Sequence, residues 1–205
     1  INDYSAYDVI NSLDKEHLAS IIKILGDEKE GKRIANEIDR HRKKKPIINS
    51  KELASIVKKA KRKNISYKKN PATKTFQAIR IFVNKELTEL ISGLIGATKL
   101  LSDGGMLIVV SFHSIEDRIV KNFFNFHSNI KSNPSRYLPA KENKSNLFKT
   151  VCKKVLSPTS NEINENPRSR SAKLRYAVRN NNSFTNPEEF QKMFLNYFEL
   201  ESASI

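Results

Sequence analysis

The stretch MLIVVSFHSIEDRIVKNFF, residues 106–124, decides the architecture. Met106 to Val110 is an unbroken apolar run rich in β-branched residues, without the polar alternation of a strand wetted on one face. It predicts a strand buried on both faces of a mostly parallel sheet. Ser111 to Ser114 then falls at that strand's carboxyl end, the edge where open α/β sheets gather ligands and reacting groups. Glu116 and Asp117 open the next segment, and Ile119, Val120, Phe123 and Phe124 make it an amphipathic helix.

Upstream, the turn Ser102-Asp103-Gly104-Gly105 supplies the reversal into this strand. Before it, Phe76, Ile79, Val83, Leu87, Leu90, Ile91, Leu94 and Leu101 recur at spacings of three and four, predicting one long helix. Downstream, about Ser128 to Asn146 is polar, contains Pro134 and Pro139, and reads as loop. Phe148–Leu156 and Ala172–Arg179 read as two later strands in a hairpin. A final helix is expected over Pro187–Leu200, with Phe190, Phe194, Tyr197 and Phe198 on its apolar side.

Residues 1–69 read as three short helices. Leu18, Ile21, Ile22 and Leu25 form one stripe stopping at Gly26, and Ile34, Ala35 and Ile38 a second ending before Pro46. The third starts at a capping box, Asn49 with Glu52, and buries Leu53, Ile56, Val57 and Ala60. Nothing in residues 1–105 resembles a strand, yet a buried parallel strand needs neighbours reached through crossover helices. The missing partner, and a first residue that is Ile, lead to the expectation that the chain is the carboxyl-terminal part of a longer protein.

The 205 residues carry 38% hydrophobic and 29% charged side chains, enough for a buried core in a soluble protein. No apolar run approaches the roughly 18 residues of a membrane span, and the first residues lack a secretory signal, so an intracellular, cytoplasmic location is expected. Cys152 is the only cysteine, which excludes an internal disulfide or thiolate zinc cluster and suits a packed thiol in a strand. The net charge of +15 is concentrated: residues 40–74 hold 14 Lys or Arg and one acid, Glu52, while the other 170 residues are nearly balanced. Such a run is an electrostatic footprint for a polyanion, with Arg42, Lys43, Lys44, Lys45, Lys61, Arg62 and Lys63 as candidate phosphate contacts. A solvated helix face is the plainer alternative.

Ser111, His113, Ser114 and Asp117 are candidate catalytic residues around the strand end, with Phe112 to stack or pack and Arg118 to orient. The alternative is a helix cap, with Ser114 accepting the first amides and Glu116 and Asp117 favouring the helix dipole. No Gly-x-Ser-x-Gly elbow and no metal-ligand spacing involving His17, His41, His113 or His127 is present, so no metal is expected. The run Asn166 to Arg175, NPRSRSAKLR, offers Arg168 and Arg170 as RNA contacts or supports for the active-site loops. In Asn70 to Arg80, NPATKTFQAIR, Thr73 or Thr75 is the expected cap, and Lys74, Gln77 and Arg80 are candidate substrate contacts.

Taken together and in this order, NPATKTFQAIRIFVN, GGMLIVVSFHSIEDRIVKNFF and NPRSRSAKLR, following a helical module with KKKPI, closely resemble the bacterial RsmH (MraW) family. The resemblance covers about residues 5–179. It implies S-adenosylmethionine-dependent methylation of N4 of a decoding-site cytidine in 16S ribosomal RNA of the small ribosomal subunit. It also implies an α/β fold: the second half of a Rossmann-like methyltransferase core, residues 70–182, preceded by an all-helical insertion, residues 1–69, and followed by a helical tail, residues 183–205. The family's Gly-rich cofactor loop and ribose-binding acid precede the insertion, so cofactor-binding residues are expected outside this chain. This chain has Asn70-Pro-Ala-Thr-Lys74-Thr where the family usually has His-Pro-Ala-Thr-Arg-Thr. A homodimer is one assembly open to it. The alternative from another class is a non-catalytic, basic RNA-binding module.

Overall fold

The computed structural model describes residues 4–61, 70–128, 146–152, 154–184 and 187–202. The chain forms two compact units, residues 1–89 with 195–205, and residues 90–194.

The first unit is helical: α1 (Ala6–Ser12), α2 (Lys15–Ile24), α3 (Gly31–Arg42), α4 (Ser50–Ala60), α5 (Thr73–Asn84), the start of α6 (Glu86–Leu100), and α10 (Leu195–Glu201). Four described helices stand where three were expected over residues 1–69. The additional one, α1, is set by a capping box in which Ser5 Oγ accepts from Asp8 N and Asp8 Oδ2 accepts from Ser5 N. The apolar stripes close on one another, leaving Leu18, Ile21, Ile22, Ile34, Ile38 and Val57 fully buried. Each contributes about 1.5–3 kcal/mol over an exposed position. Gly26 is fixed by close approach, since a Cβ there would sit 2.6 Å from both Ile22 O and Lys74 O.

Four local expectations are corrected here. Asn49 caps α4 through Glu52 N at 2.9 Å, but the Glu52 carboxylate reaches Ile48 N rather than Asn49's own N–H. Neither Thr73 nor Thr75 caps α5: Ala72 holds that position, the Asn70 carboxamide accepts from Ala72 N at 2.9 Å, and Thr75 is buried. The long helix is broken at Lys85, whose φ of 51° ends α5 before α6 begins. The expected final helix is likewise two, α9 (Pro187–Lys192) and α10. Glu201 on α10 accepts from Leu87 N and Thr88 N in the first turn of α6, where helix amides otherwise lack partners.

The second unit is built on a three-stranded sheet in the order β1 (Met106–Ser111), β3 (Lys173–Arg179), β2 (Phe148–Val151). Both pairings are antiparallel, with Met106 opposite Val178 and Ser111 opposite Lys173. The β2–β3 hairpin is as expected, though β2 is shorter and Leu156 returns only as an isolated bridge to Leu174. The expectation of a parallel strand buried on both faces is overturned for β1. Its described neighbour runs antiparallel, and Met106, Ile108 and Val110 remain 51%, 55% and 49% exposed. The apolar run is real, but within this unit only the face toward α7 (Ser114–Phe126) is covered, and the other edge of β1 is unpaired in the described sheet.

An aromatic core closes the far side of α7. Phe123, Phe124, Phe148 and Phe190 are buried, with ring pairs mostly edge-to-face at 4.9–6.1 Å. His127 is fully buried among these rings, which holds its pKa down to about 4, chiefly by burial and secondarily by the Arg179 charge. Cys152 is half-buried just beyond β2 rather than within the strand. No helix among the described residues is long and apolar enough to cross a membrane.

Candidate functional site

The strand-end turn after β1 is held from both sides. His113, rather than Ser114, is the N-cap of α7: its Nδ1 accepts from Glu116 N at 3.3 Å, and the Glu116 carboxylate accepts from Phe112 N at 2.8 Å and His113 N at 3.2 Å. An imidazole Nδ1 can cap here because it lies two bonds from Cβ, as the side-chain oxygen of Asn or Asp does, with its lone pair in the ring plane. With Nδ1 accepting, the neutral ring carries its proton on Nε2. Nε2 lies 3.1 Å from Glu116 Oε1, near enough for attraction, but off the N–H direction, so its hydrogen-bonding capacity remains unused. Burial pushes the Glu116 carboxyl up, but the His113 side chain and the Phe112 N–H outweigh it and keep the pKa below the ordinary value.

Asp117, one residue further on, faces β3. Arg175 Nε donates to its Oδ1 at 2.7 Å, Arg175 Nη2 to its Oδ2 at 3.3 Å, and Lys173 Nζ to Oδ2 at 3.0 Å. Burial raises this carboxyl, and the two cations more than reverse that, leaving it below the usual carboxylate range. The strand alternation puts Lys173 and Arg175 on the same side of β3, toward α7. Ser111 is buried, and its hydroxyl donates to Lys173 O at 3.4 Å. Phe112 is 57% exposed, so it does not pack underneath. Ser114 and Arg118 are exposed on the first turns of α7.

A 3₁₀ turn, Pro167–Ser171, leads into β3 and so lies at the same end of the sheet as Ser111. Arg168 and Arg170 on it are exposed, whereas Ser169 is buried and bonds to Asn166 O. The four cations of NPRSRSAKLR thus divide by position: two face solvent and two clamp Asp117.

In the helical unit, the candidate phosphate contacts also divide. Lys44 and Lys45 are exposed, as is Lys43, which pairs with Asp39 at 2.8 Å. Arg42 is drawn inward, donating to Asp39 and to Ile10 O, and Lys61 is buried against Glu28 at 2.5 Å. These two are corrected from surface contacts to structural cations. Arg62 and Lys63 lie outside the described residues. Lys74 donates to Asp27 O, Gln77 is half-buried, and Arg80 is exposed and doubly bonded to Glu86.

Sequence reasoning missed Glu116, Lys173 and Arg175 as the fixtures of the turn. The signal was present in the period-two spacing of Lys173 and Arg175, because cations on a covered strand face require a carboxylate opposite them.

A described three-stranded sheet with α7 against one face, a fixed polar turn at its strand end and a lysine-bearing helical unit define a class: a mixed α/β protein. The model of the MraW methylase family matches residues 2–180, and the chain belongs to that family. It is 41% identical over 175 residues to "Ribosomal RNA small subunit methyltransferase H" of Ruegeria sp. (strain TM1040), covering 85% of this chain and 53% of the relative. The protein of the same name from Ehrlichia canis (strain Jake) is 48% identical over 174 residues, 85% of this chain and 56% of that one. The chain spans about half the length of the curated relatives it matches.

Proposed function

We propose that this chain is the RNA-recognising and acceptor-holding half of an S-adenosylmethionine-dependent methyltransferase. The reaction is methylation of the exocyclic N4 amine of a decoding-site cytidine in 16S ribosomal RNA, on the small ribosomal subunit in the cytoplasm. The observation that carries this reading is the Ser111–Asp117 turn, pinned by Glu116 and by the Arg175–Asp117 clamp, in a chain of the MraW methylase family. In this reading residues 70–182 are the second half of a Rossmann-like core. The bare apolar face and free edge of β1 are what a further strand and its crossover helix would cover. Residues 1–69 are then an inserted recognition module and 183–205 a tail.

The amine of cytosine is a poor nucleophile because its lone pair is conjugated into the ring. The acceptor base must be taken out of its stack and held by its polar edge. Phe112 supplies an exposed ring for stacking, and His113, whose Nε2 is buried beside Glu116 while the ring caps α7, offers its Nε2–H to a base carbonyl or ring nitrogen once the ring leaves that cap. Ser111 and Ser114 flank it, Asp117 and Glu116 keep the turn in place, and Arg118, Arg168 and Arg170 meet phosphates. Proton removal from the amine falls to water or to His113 released from its cap.

The described residues do not fit a cradle for the methyl donor. The paired glycines form a turn before a strand, and their amides donate to Arg179 O and Ser102 O at 3.0 Å. No step of the transfer is therefore assigned to them. The test is incubation of the whole protein with labelled cofactor and small ribosomal subunits, followed by digestion to nucleosides. N4-methylcytidine supports the proposal. RNA binding without any transferred methyl group would leave the non-catalytic RNA-binding module.

A further inference from the structure

We infer, resting on the RNA-binding reading above, that the groove on α5 is a subsite for one unpaired nucleobase of single-stranded RNA. Thr73, Phe76, Gln77 and Arg80 recur at helical spacing and share one face of α5. With Asn70 they line an open cavity of about 410 Å³, within the roughly 300–1,000 Å³ of small-ligand sites.

The lining is chemically specific. The Phe76 ring is half-buried, so it is anchored with part of its surface open. Asn70 Oδ1 is taken by Ala72 N and the Thr73 hydroxyl donates to Asn70 O, which leaves the Asn70 amide donors and the Thr73 lone pairs available. The Gln77 carboxamide makes no hydrogen bond among the described residues. Arg80 is pinned by Nε and Nη2 on the two Glu86 oxygens at 2.8 and 2.9 Å, so its plane is fixed and its charge is offset.

A phosphate would meet the Glu86 carboxylate behind that guanidinium, and the described lining offers it no other cation. A flat, uncharged ligand with donors and acceptors around its rim fits better. An aromatic platform beside carboxamides is the arrangement that stacks a base and reads its edge. The groove also lies along the carboxyl end of the strongly basic run, residues 40–74, which would draw the phosphate backbone past it.

The test is fluorescence anisotropy with the whole protein and a labelled single-stranded RNA oligomer, repeated with oligomers carrying one abasic site at each position in turn. Phe76→Leu should weaken binding about tenfold with an unchanged salt slope, because stacking is removed while every phosphate interaction is kept. Phe76→Tyr should bind as the parent does. Gln77→Ala, a change that disturbs no packing ring, should weaken the intact oligomer and leave the critical abasic one unaffected. Parent-like affinity for both Phe76→Leu and Gln77→Ala overturns the subsite. If Lys44→Gln with Lys45→Gln weakens binding in that same series, only the groove falls; if that pair too is without effect, the RNA-binding reading falls with it.

Discussion

Arg175 on β3 grips Asp117 on α7 through two hydrogen bonds, and Ser111, two residues before the α7 cap, lies opposite Lys173 on the same strand. The turn between Ser111 and Ser114 is therefore strung between two points of one buried ion pair. That pair acts beside the Glu116 carboxylate, which accepts from Phe112 N and His113 N within the turn itself.

Asp117→Ala should lower stability by about 3–5 kcal/mol, because it leaves the Arg175 guanidinium buried without a partner. Pairing it with Arg175→Met should recover part of the loss. Urea unfolding midpoints of the single and double variants check this. A loss below about 1 kcal/mol in the single variant would show that the pair does not anchor the turn.

Stability should fall on acidification in two stages. His127 stays neutral in the folded core with a pKa of about 4, against 6.5 when unfolded. The unfolded chain therefore takes up a proton first, and roughly 3 kcal/mol drains away as pH falls from about 6.5 to 4. Asp117 and Glu116, both held below their ordinary values, release their share as pH falls further, through their folded pKa values. His127→Phe should flatten the upper stage alone in unfolding curves taken from pH 7.5 to 4.5. A parent-like slope in that variant would refute the assignment.

The lysines should separate by burial. Replacing exposed Lys43, Lys44 and Lys45 with Gln should reduce the salt dependence of RNA binding by roughly 0.7–0.9 for each phosphate no longer neutralised. Lys61→Gln should instead lower the melting temperature, since it strands buried Glu28, and leave the salt slope as it was.

Much of this fold was legible in the sequence where periodicity and burial agree. The start of β1 at Met106, the hairpin of β2 with β3 and the stripes of α2 to α4 follow from apolar spacing. The breaks did not. Lys85 ends α5 in a left-handed conformation that its residue type does not announce, and the stripe runs on across it. The apolar composition of β1 predicts a strand covered on both faces, whereas within the described unit one face is bare. At the site, His113 and Asp117 were legible as chemistry-bearing residues, but Lys173 and Arg175 read only as part of the basic run NPRSRSAKLR, with no partner assigned. Their partner lies 56 and 58 residues earlier in sequence, beyond any local pattern.

If the turn after β1 handles the acceptor base while the cofactor is held elsewhere, removing the His113 imidazole should slow transfer without loosening the cofactor. The decisive experiment is the single-turnover methyl-transfer rate of the whole protein to small ribosomal subunits, with His113→Ala compared against the parent and cofactor affinity measured calorimetrically on both. The expected outcome is a rate at least about tenfold lower, about 1.4 kcal/mol of barrier, with cofactor affinity unchanged. A parent-like rate, or a fall in rate matched by an equal fall in cofactor affinity, would overturn the assignment of the turn to the acceptor base.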